Sequence, residues 1–266
     1  MRYTQSIVLG LVQGLTEFLP VSSSGHLILV PLLFGWPDQG LAFDAVTHLG
    51  TLAALLAYFR TELRALMAGT LSRRLALLII VATIPAGVAG IVFGPWIEMR
   101  ARSALLIAVT TAGWGIVMWL ADRRAAAAPA SPGEPLERVT WTQGLVVGVA
   151  QALALVPGTS RSGITITAGL LTGLDRATAA RYAFLLSIPI TAAAGSYKTL
   201  HLVRHGMPAG DVGPLVAAVL TAFVSGWFAV WFLVNYLRSR SLRPFVVYRT
   251  ALAALIGLLV VAGLVR

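Results

Sequence analysis

The chain has 266 residues, of which 58% are hydrophobic and 11% are charged, a composition too apolar for an ordinary soluble domain. The formal net charge is +10, but the basic residues lie in short segments between apolar runs, which argues against a nucleic-acid partner. The sequence has no cysteine and four scattered histidines, which excludes disulfides and zinc-site spacing. Because of its apolar composition, we expect an integral membrane protein.

Apolar stretches of two lengths follow one another along the chain. The longer ones approach or reach the roughly 20 residues that a membrane-spanning helix requires. These six stretches are about 43–60, 75–94, 102–121, 178–196, 213–236 and 248–264. Four others are shorter or are interrupted by Pro, Gly and Ser: about 6–19 and 25–35, then 141–156 and 163–174. Because paired, interrupted segments at matching places in two halves are typical of a midplane binding site, we interpret each pair as a re-entrant helical hairpin.

A linker rich in Ala and Pro at 125–138 divides the chain into two halves of similar layout. We predict a single membrane domain over 1–266, with repeat one at 1–124 and repeat two at 139–266. Each half then contains one re-entrant hairpin and three transmembrane helices. A re-entrant hairpin returns to the side from which it entered, and three transmembrane helices then bring the chain to the opposite side. The second half therefore inserts upside down relative to the first. The predicted fold class is therefore an all-α integral membrane protein with an inverted-topology repeat.

The distribution of Lys and Arg predicts the orientation, since short cytoplasmic loops carry an excess of both. One side would carry Arg60, Arg64, Arg73, Arg74, Arg123, Arg124, Arg138, Arg176, Arg238, Arg240 and Arg243. The other side would carry Arg2, Arg100, Arg102, Lys198, Arg204 and Arg266. We predict that the first side is cytoplasmic, so hairpin one enters from the outer face and hairpin two from the cytoplasmic face. Their tips would then meet inside the membrane around a cavity.

The two predicted tips carry related polar motifs, one from Gln13 to His26 and one from Gln151 to Gly163. Aligned without a gap, the motifs share Gln13 with Gln151, Leu15 with Leu153, Ser22 with Ser160, Ser24 with Ser162 and Gly25 with Gly163. Polar and ionisable side chains are costly in a lipid environment, so their presence here indicates a functional site.

Both motifs favour an anion site at the start of a helix. Pro20 interrupts the first helix, and we expect a new helix to begin around His26, while the second motif restarts a helix near Gly163. The flanking serines are good N-cap residues, and each alone could serve only as a cap. Two helix N-termini that face one cavity bind anions, most commonly phosphate. Arg161 supports this interpretation, since its guanidinium group matches phosphate oxygens in pairs.

The first motif also carries groups suited to phosphoryl transfer. Gln13 and Glu17 are four residues apart and share a helix face. Beside a phosphate, Glu17 could bind Mg²⁺ or Ca²⁺ or act as a base. Ser23 and His26 supply a hydroxyl nucleophile and an imidazole that could take its proton. The structural alternatives are a buried ion pair between Glu17 and Arg161, and an ordinary buried histidine at position 26.

Some polar and aromatic residues have simpler interpretations. Asp44 and His48 are also four residues apart and could extend the polar cavity, but we interpret them as interfacial residues at the start of the first full span. Tryptophans near the predicted span ends are typical of an aromatic belt. These are Trp36, Trp96, Trp119 and Trp141.

At these motifs the chain resembles the undecaprenyl-diphosphatase family, also known as bacitracin-resistance proteins. These are integral membrane enzymes that remove a phosphate from an isoprenyl diphosphate carrier. The first family signature occurs here as Gln13 to Glu17 and Leu19 to His26, and the second as Pro157 to Thr165. Weaker similarity at Phe43 to Gly50 and at Arg243 to Arg249 extends the match over nearly the whole chain.

The resemblance implies a metal-dependent diphosphatase with the re-entrant inverted-repeat fold. It implies Glu17, Ser23, His26 and Arg161 as the catalytic set, and Glu17 and Gln13 at the metal. The substrate and phosphate site would include Ser22, Ser24, Gly25, Ser160, Ser162, Gly163 and Thr165. Many members have Glu where this chain has Gln13, which weakens any mechanism that needs two carboxylates at the metal. The family leaves open whether Ser or His attacks phosphorus.

We therefore expect hydrolysis of undecaprenyl diphosphate to undecaprenyl phosphate and phosphate in the bacterial cytoplasmic membrane, at a site that opens to the periplasmic face. This reaction recycles the lipid carrier for cell-wall synthesis and confers bacitracin resistance. The expected partners are the lipid substrate, membrane lipids and a divalent cation, with a homodimer left open. The alternative function is a transporter or flippase of a phosphorylated lipid, because inverted repeats with broken helices are usual in alternating access. A purely structural membrane protein would leave the buried polar residues unexplained.

Overall fold

A computed structural model describes residues 2–37, 40–100, 103–127, 135–205 and 209–265. Within these ranges the secondary structure is entirely helical, which confirms the predicted all-α class. The helices are α1 (Tyr3–Phe18), α2 (Ser23–Phe34), α3 (Gly40–Tyr58), α4 (Arg60–Met67), α5 (Arg73–Arg100), α6 (Ala104–Ala127), α7 (Trp141–Ala152), α8 (Arg161–Leu171), α9 (Arg176–His205), α10 (Ala209–Tyr236) and α11 (Arg243–Val261). Two short 3₁₀-helices lie at Leu136–Arg138 and Leu153–Leu155.

Five helices among the described residues are long and apolar enough to cross a membrane. Their spanning segments are Arg73–Ile97, Ala104–Ala126, Arg176–Tyr197, Asp211–Tyr236 and Arg243–Val261, which match five of the six predicted spans. The remaining predicted span, 43–60, lies in α3, whose apolar part Val46–Tyr58 is shorter.

The surface of the long helices is strongly apolar. On α5, for example, the side chains of Ile80, Ile84 and Ile91 are 60%, 55% and 82% exposed. Contiguous exposed apolar surface of this kind is rare on soluble proteins and is the normal outer face of a transmembrane helix. The protein is therefore a multi-pass membrane protein.

Two short helix pairs form the predicted hairpins, α1 with α2 and α7 with α8. The restarted helices begin slightly earlier than the sequence suggested, α2 at Ser23 rather than around His26, and α8 at Arg161 rather than near Gly163. The reason is that the residues before them, Ser22 and Ser160, adopt a non-helical conformation from which the helix can start at once.

The two hairpins pack reciprocally against the opposite half of the chain. Gly10 of α1 and Gly148 of α7 each lie three residues before the motif glutamine. A Cβ atom at Gly10 would clash with the backbone of Ala218 in α10, and one at Gly148 with the backbone of Ala82 in α5. Such close helix crossings require small residues. This exchange of partners agrees with two equivalent halves; the linker residues 128–134 lie outside the described residues, so the predicted repeat boundaries stay a prediction.

Charged residues from both halves meet at the predicted cytoplasmic end. Arg176 Nε lies 2.6 Å from Asp122 Oδ1, and Arg181 Nη2 lies 3.1 Å from Glu62 Oε1. Arg74 donates to the backbone carbonyl of Val139. These contacts join helix ends of both halves, and the assignment of this end to the cytoplasm stays a prediction. On the opposite side, Arg102 and Arg266 lie outside the described residues.

Candidate active site

The tips of the two hairpins are joined by reciprocal hydrogen bonds inside the helix bundle. The backbone N–H of Gly158 donates to Ser24 Oγ at 3.1 Å. In the other direction, Ser162 Oγ donates to the backbone carbonyl of Leu19 at 3.2 Å. Ser24 and Ser162 are the aligned residues of the two motifs, so equivalent serines join the two tips, which the sequence predicted to meet.

Each tip places a serine before its second helix. Ser160 caps α8, since its hydroxyl accepts a hydrogen bond from the backbone N–H of Gly163 at 3.2 Å. Ser22 lies at the N-cap of α2, but its hydroxyl contacts Ser24 Oγ at 3.2 Å instead of capping a backbone N–H. The capping prediction is therefore confirmed for Ser160 and is wrong for the side chain of Ser22.

A cavity of about 470 Å³ lies between the tips and extends along α2. Its polar wall is formed by Glu17, Ser22, Ser23, Ser24, Asp44, His48, Ser160 and Arg161. Its apolar wall includes Leu27, Ile28, Pro31, Leu32, Trp36, Ile97, Ile107, Leu155 and Val265. The cavity is therefore amphipathic, with charged groups from both hairpins at one end and aliphatic side chains along the rest. The N-termini of α2 and α8 both lie on its polar wall, as predicted.

The buried carboxylate of Glu17 is at the centre of the polar wall. Its Oε2 atom accepts hydrogen bonds from Ser23 Oγ at 3.0 Å and from Gln13 Nε2 at 3.1 Å. Nη2 of Arg161 lies 3.9 Å from its Oε1 atom. The structure thus brings together the predicted carboxylate, nucleophile and guanidinium from opposite hairpins.

Arg161 is held in place from its far side. Its Nη1 atom donates to the hydroxyl of Thr191 on α9. One edge of the guanidinium group is therefore fixed by Thr191, while Nη2 faces Glu17 and the cavity. An arginine restrained in this way loses little freedom when it binds an anion.

The imidazole of His26 is engaged away from Ser23. Its Nδ1 atom lies 2.7 Å from the backbone carbonyl of Ser22, and its Nε2 atom lies 2.6 Å from the hydroxyl of Tyr248. The two rings are also stacked, with centroids 5.6 Å apart. Both ring nitrogens are thus occupied by partners other than Ser23, and the predicted role of His26 as its base stays a prediction.

His48 corrects an interpretation made from the sequence. We interpreted Asp44 and His48 as interfacial, but both line the cavity. Nε2 of His48 lies 3.4 Å from Glu17 Oε2. The packing of α3 turns this helix face toward the hairpin tips, and sequence spacing alone could not reveal that rotation.

The remaining predicted phosphate-binding residues lie behind the cavity wall. Thr165 Oγ1 donates to the backbone carbonyl of Arg161 at 2.7 Å, and together with Ser162 it borders a second, small cavity behind Arg161 and Glu17. The N–H of Gly163 is used in the cap of α8. Gly25 is buried, and a Cβ atom there would lie in ordinary contact with Ile107 and Leu252.

Arg249 was missed by the sequence analysis, although it lies within the apolar stretch 248–264. Its side chain is buried, with 1% exposed. It donates to backbone carbonyls of both tips, to Pro20 at 3.5 Å, Gly158 at 3.1 Å and Thr159 at 3.2 Å, and to Thr111 of α6 at 3.1 Å. A charged residue inside an apolar span was the signal that could have found it.

Comparison with known proteins places the chain in a family. Residues 6–255 match the sequence model of the family described as bacitracin resistance protein BacA. The chain belongs to this family. It is 45% identical over 270 residues to a protein named undecaprenyl-diphosphatase from Hahella chejuensis, with 98% of both chains covered. A protein of the same name from Thioalkalivibrio sulfidiphilus is 48% identical over 264 residues, and undecaprenyl-diphosphatase 2 from Stutzerimonas stutzeri is 47% identical over 266 residues; each match covers 96% of this chain and 97% of the relative.

The divalent cation that the sequence resemblance implies would find oxygen ligands around Glu17. The amide oxygen of Gln13 is buried without a hydrogen-bond partner, and the amide nitrogen of the same side chain donates to the Glu17 carboxylate. Hard oxygen donors of this kind suit Mg²⁺ or Ca²⁺. The described residues contain no cluster of three or more His, Cys, Asp and Glu side chains suited to a metal. An ion here would therefore be held by few protein ligands, Glu17 among them, together with oxygens of the substrate.

Proposed function

We propose that the protein hydrolyses undecaprenyl diphosphate to undecaprenyl phosphate and inorganic phosphate, which recycles the carrier lipid for cell-wall synthesis. One observation carries this proposal: Ser23 and Arg161, from opposite hairpins, meet at the carboxylate of Glu17 on the wall of one cavity. This grouping supplies a nucleophile, a base and an anion clamp. The names of the relatives support the same activity.

Ser23 is the nucleophile in this mechanism. Its hydroxyl donates to Glu17 Oε2, so the carboxylate takes the proton as Ser23 Oγ forms a bond to the terminal phosphorus. The bond between that phosphorus and the bridging oxygen breaks, and undecaprenyl phosphate leaves with the bridging oxygen. Water then attacks the phosphorus of the phosphoserine, and the bond between Ser23 Oγ and phosphorus breaks. Ser23 Oγ takes back the proton held by Glu17, and inorganic phosphate leaves.

Arg161 clamps the diphosphate and balances its charge. The guanidinium group is fixed by Thr191 before substrate arrives, so its remaining N–H groups are preorganised for phosphate oxygens. The N-termini of α2 and α8 add backbone N–H groups to the same cavity. Charge that develops on the transferred phosphoryl group is therefore met by fixed donors.

Glu17 and Gln13 would hold a divalent cation, Mg²⁺ or Ca²⁺ in the simplest case. Bound there, the cation would neutralise phosphate charge and polarise a phosphoryl oxygen. His26 supports the tip, because its Nδ1–H donates to the carbonyl of Ser22, the residue before Ser23.

The apolar part of the cavity accommodates the isoprenyl units next to the diphosphate. It runs along α2 from the tip to Trp36 and is bordered by Ile97 near the end of α5 and by Val265 beyond α11. These helix ends lie opposite the charged cluster assigned to the cytoplasm. The site thus opens to the periplasmic face of the bacterial inner membrane, and the lipid tail leaves between helices into the bilayer.

The test is release of phosphate from undecaprenyl diphosphate by purified protein in detergent. We expect turnover that EDTA abolishes and added divalent cation restores, and we expect none from the Arg161→Ala variant. Arg240→Ala removes an exposed arginine and serves as the matched control. Near-normal turnover by Arg161→Ala would overturn the assignment. Absence of release by the unmodified protein would favour the transporter alternative, which the family and the relatives do not support.

A further inference from the structure

Two histidines of the site, His26 and His48, each contact a backbone carbonyl through Nδ1, but their Nε2 atoms have different partners. Nδ1 of His26 lies 2.7 Å from the carbonyl of Ser22, and Nδ1 of His48 lies 2.6 Å from the carbonyl of Asp44. Because a carbonyl oxygen can only accept, Nδ1 carries the hydrogen in both rings. Nε2 of His26 is used by the hydroxyl of Tyr248. Nε2 of His48 instead faces the carboxylate of Glu17.

The arrangement at His48 is the one that metal-binding histidines show. Such residues donate their other ring N–H to a backbone carbonyl or carboxylate, which fixes the ring and leaves the second nitrogen for the metal. Nε2 of His48 and Oε2 of Glu17 lie 3.4 Å apart, so a deprotonated Nε2 would direct its lone pair toward the carboxylate. This distance is longer than the roughly 2.8 Å of a charge-assisted hydrogen bond. A separation of 3.4 Å between the two atoms is also the distance expected when both bind one ion through bonds of about 2.1 Å.

Position 13 provides a second, independent observation. The amide oxygen of Gln13 is buried and unpaired, while its Nε2 donates to Glu17. A cation next to Glu17 would give this oxygen the partner that a buried acceptor needs.

We propose that His48 Nε2 and the Glu17 carboxylate bind the divalent cation together, with the amide oxygen of Gln13 as the third protein ligand. An imidazole nitrogen in place of a second carboxylate favours first-row transition ions over Mg²⁺ and Ca²⁺. This chain therefore prefers Mn²⁺ to Mg²⁺ and Ca²⁺. The proposal rests on the metal dependence stated under the proposed function.

The experiment is a titration of the purified full-length protein in detergent with MnCl₂, followed by electron paramagnetic resonance. Pulsed measurements report whether an imidazole nitrogen is bound directly to Mn²⁺. We expect that nitrogen signal in the unmodified protein and in His26→Gln, and its loss in His48→Gln. Mn²⁺ affinity should fall by at least about tenfold in His48→Gln. His48→Glu should bind Mn²⁺ without the nitrogen signal and should bind Mg²⁺ more tightly than the unmodified protein does, which separates a lost ligand from a misfolded protein.

Several results would overturn the proposal: no bound Mn²⁺, no nitrogen signal in the unmodified protein, or an unchanged signal in His48→Gln. Phosphate release measured on the same samples separates this proposal from the proposed function. Release without a nitrogen signal rejects His48 as a ligand and leaves the phosphatase intact. A nitrogen signal without phosphate release supports His48 as a ligand and contradicts the proposed phosphatase activity.

Discussion

Ser22 and Ser160 adopt the same unusual backbone conformation at equivalent positions of the two hairpin tips, with positive φ of 76° and 67°. Among the described residues they are the only ones other than glycine with positive φ. Each precedes the first residue of a helix that faces the cavity. A conformation of this kind costs about 1–3 kcal/mol and is retained where the surrounding structure requires it. The tips therefore store strain in order to aim two helix N-termini into one site.

Substitutions at Ser160 measure this strain. Ser160→Gly and Ser160→Ala both remove the cap to Gly163, but only Gly adopts positive φ without penalty. We expect the Ala variant to be less stable than the Gly variant by about 1 kcal/mol. Thermal unfolding in detergent, followed by circular dichroism, provides the comparison. Equal stability of the two variants would show that the backbone at this position is relaxed.

Arg249 fastens both tips, so its removal should weaken the whole site. Arg249→Met would leave buried carbonyl groups without donors, and each such group costs about 1–3 kcal/mol. We expect a large fall in the unfolding temperature together with a loss of phosphate release. Arg243→Met is the matched control, because Arg243 is exposed on the same helix. If the two variants unfolded at the same temperature, the contacts of Arg249 with the tips would contribute no stability.

The hairpins and the residues of their tips could be predicted because each depends on local sequence. Pro, Gly and Ser interrupt the apolar stretches, and the motif repeats at the same spacing. His48 could not be placed, since its position at Glu17 depends on how α3 is rotated against α1. The pairing of His26 with Tyr248 joins residues that are 222 positions apart, and no local pattern encodes it. A charge within an apolar span marked Arg249, but its partners are backbone groups, which sequence does not reveal.

The close packing of α1 on α10 should depend on Gly10. In Gly10→Ala the new methyl group would clash with the backbone of Ala218, which cannot move aside as a side chain can. We expect a loss of about 1–3 kcal/mol of stability, the usual effect of overpacking. Gly257→Ala is the matched control, because a Cβ atom there meets nothing within 4 Å. The control should be neutral or stabilising, since Ala favours helix over Gly by about 1 kcal/mol. If Gly10→Ala were as stable as Gly257→Ala, α1 and α10 would be able to move apart at this crossing without loss of stability.

The role of His26 can be separated from that of Ser23 by comparing turnover. His26 donates a hydrogen bond from Nδ1 to the carbonyl of Ser22 and accepts one at Nε2 from the hydroxyl of Tyr248. These two contacts position the tip. In Tyr248→Phe one hydrogen bond is lost, and we expect about a tenfold fall in kcat, the equivalent of about 1.4 kcal/mol, with little change in KM.

His26→Gln keeps an amide N–H that can donate to the same carbonyl, so we expect measurable turnover from it and none from Ser23→Ala. A general base at position 26 requires the opposite outcome. Removal of such a base should lower turnover by about 10²–10⁴-fold and abolish the pH dependence that the base imposes. If a folded His26→Gln protein were as inactive as Ser23→Ala, the proton of Ser23 would pass to His26 during turnover, and the tip would have to move to bring the two together.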